Sequence, residues 1–217
     1  MMGGPPWSSS RHFLRCRHYN IRLNPHKCVF CIETGRLLGF LVSKDGIQID
    51  PLKIAAILAL LAPTNFLGLQ SLQGKANFLR RFVCNFPEKT HCYMCLLKKD
   101  TPLFWDDQAQ RAFDNLKHAL THSPMIHPPY YSKDLLLYIV ASTTTIAMVL
   151  VQENPNGQEH VIYYASKNIM DFETRYSCVE KLALATVMVV KKFHPYILLR
   201  TTTVLENQNP MYYFLTH

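Results

Sequence analysis

The stretch from Leu135 to Lys192 constrains the fold more than any other part of the chain. It reads LLLYIVASTTTIAMVLVQENPNGQEHVIYYASK, then a short link, then YSCVEKLALATVMVVKKF. Two apolar strands, a turn at Asn154-Pro155-Asn156-Gly157, a third strand and an amphipathic helix follow in that order. Thr202–Leu205 is one further candidate strand. A sheet whose apolar face is closed by a helix is an α+β arrangement.

Upstream the pattern changes. Residues 1–10 are rich in Gly, Pro and Ser, and a disordered leader over 1–12 is expected. The basic run from Arg11 to Arg22 predicts a short helix ending before Asn24-Pro25. Cys28–Glu33 and Leu37–Ser43 read as two strands joined at Thr34-Gly35-Arg36, with Ile47–Ile49 a short third strand after Lys44-Asp45-Gly46. Asp50-Pro51 supplies an N-cap and a first-turn proline for a helix bearing Ile54, Ile57, Leu58 and Leu61, which Pro63 stops. A second helix is predicted from Thr64-Asn65 to Phe82, a third over Phe86–Leu97, and a fourth capped by Asp106 or Asp107 and bearing Ala109, Ala112, Phe113, Leu116 and Leu120.

Charge divides the chain unevenly. Residues 1–103 hold 14 Lys and Arg against 5 Asp and Glu, whereas residues 104–217 hold 9 against 10. Attraction to phosphates therefore belongs to the first part. An apolar fraction of 48% supports a packed core. No run is long enough to span a bilayer and no signal-peptide layout is present, so an intracellular chain is expected. Seven cysteines, an odd number, suit a reducing compartment. Cys28-x-x-Cys31 and Cys92-x-x-Cys95 with His91 invite a zinc reading, but the pairs lie about sixty residues apart, too far for a compact finger. No resident metal is expected.

Two places carry candidate chemistry. The second helix sets Leu69, Leu72, Ala76 and Leu79 on one side and Gln70, Gln73, Gly74, Asn77 and Arg81 on the other. Gly74 would let a sugar-phosphate backbone come close, with Lys75, Arg80 and Arg81 supplying charge. An ordinary solvated helix face accounts for the same pattern equally well. The second place is Ser177-Cys178-Val179-Glu180, which fits a capping box in which Glu180 reaches back to the helix start.

The runs YNIRLNPHKCVF, GRLLGFLVSKDGI, LQSLQGKANFLRRF, LLKKDTPLFWDDQAQRAFDNLKHAL, IYYASK, YSCVEK and VKKFHPYIL occur in colinear order. In this the chain resembles the Pol polyprotein of gypsy-type LTR retrotransposons from about Phe13 onward. The resemblance implies the end of a reverse-transcriptase palm with a small hairpin and a helical thumb over residues 13–103. It then implies a ribonuclease H-like mixed sheet with helices over 104–217, expected to be truncated. It also implies a nucleic-acid partner, an RNA–DNA hybrid or duplex, held weakly through Gln73, Gly74, Lys75, Asn77, Arg80 and Arg81.

The family's ribonuclease H chemistry uses two divalent ions, Mg2+, roughly 4 Å apart and bridged by carboxylates. Carried over by resemblance, its first aspartate falls on Val140, its glutamate on Glu180 and its next aspartate on Asn207; the fourth ligand would lie beyond His217. Val140 cannot ligate a metal, and Asn207 offers only a neutral carbonyl. Glu206 neighbours the needed position but faces the other side of a strand. Glu180 serves as helix cap or as vestigial ligand. The one Asp-Asp pair, Asp106-Asp107, reads as a helix start rather than a polymerase metal site, which the family carries upstream. Leu199 replaces a family turn glycine, and Pro195 is expected to interrupt the helix end. The expectation is a catalytically inactive reverse transcriptase/ribonuclease H fragment with residual nucleic-acid binding. An active hydrolase with a noncanonical site and a host-retained binding module are the alternatives.

Overall fold

The computed structural model describes residues 9–30, 32–98, 102–198 and 200–206, which form two compact units, Met1–Glu33 and Thr34–His217. In the first, α1 (Ser9–His18) begins inside the stretch expected to be leader, and a 3-10 turn spans Pro25–Lys27 under an Asn24 cap. Leu135–Ala141 and its neighbours belong to the second unit, which holds every strand described below.

The second unit starts with a three-stranded antiparallel sheet, β1 (Thr34–Leu37), β2 (Phe40–Ser43) and β3 (Ile47–Ile49). This corrects the expected hairpin. Cys28–Glu33 contains no strand among its described residues, and Gly35 lies within β1 rather than in a turn. The turn is Leu38-Gly39, both at positive φ (51° and 80°), the conformation whose twist suits a two-residue hairpin. Leucine rarely adopts it, so the turn left little trace in the sequence. A side chain on Gly39 would also meet Lys53 Cε at 2.8 Å.

Asp50 caps α2 (Pro51–Leu58), accepting from the Leu52 N–H at 3.0 Å and facing Arg36 Nε at 3.5 Å. The helix stops at Leu58, well before Pro63. α3 (Phe66–Leu79) starts at Asn65, whose side chain accepts from the Gly68 N–H at 2.7 Å, and tightens into a 3-10 turn over Arg80–Phe82. α4 (Phe86–Met94) likewise ends in a 3-10 turn, Cys95–Leu97. Asp106 is the cap of α5 (Asp107–Thr121), accepting from the Ala109 N–H at 2.7 Å. These helices share one apolar core built on Leu69, Leu79, Phe82, Tyr93, Phe113 and Leu116.

A second core lies between the four-stranded sheet and α6 (Cys178–Ile197). Its strands β4 (Leu135–Ala141), β5 (Thr145–Glu153), β6 (Glu159–Asn168) and β7 (Thr202–Leu205) are ordered β6-β5-β4-β7, with only β7 parallel to its neighbour. Leu135, Leu137 and Ile139 alternate inward and meet Leu182, Ala185, Val189 and Phe193. Pro195 does not end α6. It sits in the final turn, where one lost hydrogen bond is offset by Phe193 and Tyr196 packing on Tyr163 at 5.5 and 6.2 Å. Buried Gln152 fixes the approach to β4, accepting from the Tyr130 N–H at 2.8 Å and donating to the Tyr130 and Lys133 carbonyls. Leu199 lies outside the described residues. No described helix is long and apolar enough to cross a membrane.

Candidate nucleic-acid interface and carboxylate positions

The outer side of α3 exposes Gln70, Gly74, Lys75, Asn77 and Arg80. Gln73 departs from the expected pattern: it is 7% exposed, among the buried residues of the helix. Helical spacing sets it beside Leu69 in the turn before and Ala76 in the turn after, at the edge of the core stripe rather than opposite it. Neither its amide nitrogen nor its oxygen has a partner among the described residues.

Gly74 has open space where a side chain would stand, with nothing within 4 Å of a built Cβ. No packing requirement therefore accounts for a glycine inside a helix, where it costs roughly 1 kcal/mol relative to alanine. Gly74 and Lys75 line a 280 Å³ cavity with Lys53 and Phe78. Phe78 is 45% exposed and stacks on Phe40 at 4.8 Å. Sequence reasoning passed over Phe78 and Lys53. Spacing was the available signal for Phe78, since Gln70, Gly74 and Phe78 follow each other four residues apart.

The two arginines are partly occupied within the protein. Arg80 donates to the Ser166 carbonyl at 3.1 Å, leaving other guanidinium N–H groups free to donate. The Arg81 guanidinium lies 5.0 Å from the Tyr163 ring centre and 5.9 Å from that of Phe82. Such contacts tie the end of α3 to β6 through cation–π attraction.

The carboxylate positions are a different matter. Val140 is 58% exposed on β4 and alternates with the inward Leu137 and Ile139. Glu180 completes the capping box of α6: its carboxylate accepts from the Ser177 N–H at 2.7 Å, while its own N–H donates to Ser177 Oγ at 3.3 Å. The Ser177 backbone bond, then its side chain, hold the Glu180 carboxyl below its usual range. One Glu206 oxygen is shielded and unpartnered, and burial raises that carboxyl. Extending the β4–β7 register sets Glu206 beside Ile139, on the face away from Val140. Asn207 lies outside the described residues.

These donors do not fit a pair of divalent cations. A valine contributes no ligand, and the one mapped carboxylate already accepts a backbone N–H. Among the described residues no three of His, Cys, Asp or Glu gather as a metal site. Cys95 Sγ lies 3.7 Å from His91 Nε2, Cys92 is exposed and Cys31 lies outside the described residues.

Residues 105–204 match the family described as the RNase H-like domain found in reverse transcriptase. The retrovirus-related Pol polyprotein of transposon 412 from Drosophila melanogaster is 30% identical over 204 residues, which cover 94% of this chain and 16% of that protein. The transposon Tf2-3 polyprotein of Schizosaccharomyces pombe is 27% identical over 183 residues, covering 84% of this chain and 14% of that one. Among solved structures, the foamy viral protease-reverse transcriptase in complex with RNA/DNA hybrid aligns at TM-score 0.74 and 22% identity, covering 93% of this chain and 28% of that one. The same protein in complex with dsDNA aligns at TM-score 0.76 and 21% identity, covering 97% and 45%. This chain thus spans less than a fifth of the curated relatives. At such identities the solved structures speak for the fold.

Proposed function

From the premise that this chain carries the RNase H-like domain of reverse transcriptase and belongs among the retrotransposon Pol polyproteins, we propose that it holds a nucleic-acid duplex without cleaving it. In this reading residues 13–103 act as palm end and thumb, and residues from 104 onward as the ribonuclease H-like part. The duplex lies along the outer side of α3, where Gly74 admits the backbone and Lys75 supplies charge. Binding is weak and indifferent to sequence, because the contacts go to phosphate and sugar rather than to base edges. Structural neighbours solved in complex with dsDNA and with RNA/DNA hybrid support this partner class.

The observation that carries the silent half of the reading is Val140. Two-metal hydrolysis needs negatively charged oxygen ligands that bridge both ions, and a branched aliphatic side chain gives none. Glu180 alone would leave Mg2+ largely hydrated. Its place in a helix cap supplies a structural reason to keep it. Asp106-Asp107 opens α5, so the reading assigns no nucleotidyl transfer to these residues.

The test is fluorescence anisotropy with a short labelled duplex at several salt concentrations. Affinity should fall steeply as salt rises, and Lys75→Glu should weaken binding and flatten that slope. Binding that ignores both salt and Lys75→Glu would remove α3 from the interface.

A further inference from the structure

Helix α4 sorts its residues by side. Phe86, Pro87, Thr90 and Tyr93 are buried, whereas His91 and Cys92 are exposed and Cys95 is half-buried where the helix tightens into its 3-10 turn. His91 and Cys95 stand four residues apart and so are neighbours on one helix face. Cys95 Sγ lies 3.7 Å from His91 Nε2, a weak sulfur–imidazole hydrogen bond in the free protein.

That separation also suits a tetrahedral metal ion. Zn2+ holds thiolate sulfur at about 2.3 Å and imidazole nitrogen at about 2.0–2.1 Å, which sets the two donor atoms about 3.5 Å apart. The His91–Cys95 pair therefore closes on one cation with little movement. Cys92 is the third donor within reach. It precedes Cys95 by three residues, a spacing that puts helix Cβ atoms about 5–6 Å apart, and two sulfurs on one Zn2+ stand about 3.8 Å apart. No three such donors are gathered among the described residues, so the exposed Cys92 side chain must turn to complete the set. The position favours a cation as well. His91 to Cys95 form the last turn of α4, where unpaired carbonyls carry partial negative charge. Two thiolates and an imidazole select a borderline-soft ion such as Zn2+, not Mg2+, which takes oxygen ligands.

We propose that His91, Cys92 and Cys95 bind one Zn2+ at the end of α4, with the fourth position left to water. Each cysteine forms a sulfur–metal bond and releases its thiol proton to the buffer, while neutral His91 binds through Nε2. Cys28 takes no part, since one turn of helix supplies all three protein ligands.

The experiment titrates the reduced whole chain with Co2+, which reports bound sulfur by a charge-transfer band in the near ultraviolet, and then displaces it with Zn2+. One Co2+ should bind per chain. Cys95→Ser should abolish the band by removing one half of the preset pair. Cys92→Ser should roughly halve it, as two bound sulfurs become one. His91→Gln should weaken Co2+ binding by more than about tenfold, the loss that even an outer partner of a metal ligand causes. Cys84→Ser and Cys178→Ser should change nothing, and a thermal melt checks that each variant folds. The unaltered protein gives a reading free of substitutions: Zn2+ should protect Cys92 and Cys95 from iodoacetamide, but not Cys84 or Cys178, as read by peptide mass. Absence of the charge-transfer band, a band that survives Cys95→Ser, or alkylation of Cys92 and Cys95 that ignores Zn2+ overturns the proposal.

Discussion

Two buried glutamines make opposite predictions at the residue scale. Gln152 joins the Tyr130–Asp134 segment to β5 through backbone bonds, so Gln152→Leu should strand a buried N–H and several carbonyls. A loss of about 2–3 kcal/mol in a denaturant titration is expected. Gln73→Leu removes two polar atoms that have no partner, and should leave stability unchanged or raise it. At the start of α6, Ser177→Ala should cost about 1 kcal/mol, since it removes a cap acceptor. Glu180 adds a pH dependence whose sign is set by its depressed carboxyl. Between its folded and unfolded values the unfolded chain binds more protons, so stability is present above about 4.5 and is lost as pH falls through the folded value. Glu180→Gln should flatten that acid limb in thermal melts taken across pH 3–6 (roughly the span over which such a carboxyl titrates). An unchanged limb would deny that this carboxylate is held by the cap.

At the scale of elements, α3 carries the most exposed test. Gly74→Ala should stabilise the helix by about 1 kcal/mol, because the added methyl meets nothing and alanine costs less entropy. Gly74→Leu should fold equally well yet weaken duplex binding severalfold, by holding the backbone away from the helix. Loss of stability without loss of binding would reverse the assignment. The elements also show what the sequence could carry. Strands β4 to β6 and helices α3, α5 and α6 were legible because apolar spacing and capping residues agree, as at Asn65, Asp106 and Ser177. The Leu38-Gly39 turn was not, because a leucine at positive φ has no compositional signature. Gln73 was misplaced for a different reason. It lies at the edge of the core stripe, beside Leu69 and Ala76, where a polar side chain adds nothing to the apolar pattern that marks a buried face. Val140 stands at a ligand position only by the resemblance, since in isolation it is an ordinary, exposed strand residue.

Across the whole molecule charge is unevenly spread. Positive charge is concentrated in residues 1–103, where α3 presents its outer side, while the sheet with α6 is nearly neutral. The second core leaves apolar surface open, with Val140, Val204 and Leu205 exposed on β4 and β7. Exposed apolar side chains of this kind, with β7 at the edge of the sheet among the described residues, favour association, so sedimentation over a range of concentrations should show self-association of the chain alone. A single monomeric species throughout would contradict this. The central claim, that the chain grips a duplex whose hydrolysis it does not perform, has a more direct test. The unmodified chain is incubated with a labelled RNA–DNA hybrid in Mg2+ or Mn2+, at a protein concentration where anisotropy shows the hybrid bound. The account predicts bound substrate that stays intact at the background rate. Metal-dependent cleavage that Glu180→Gln abolishes would contradict it.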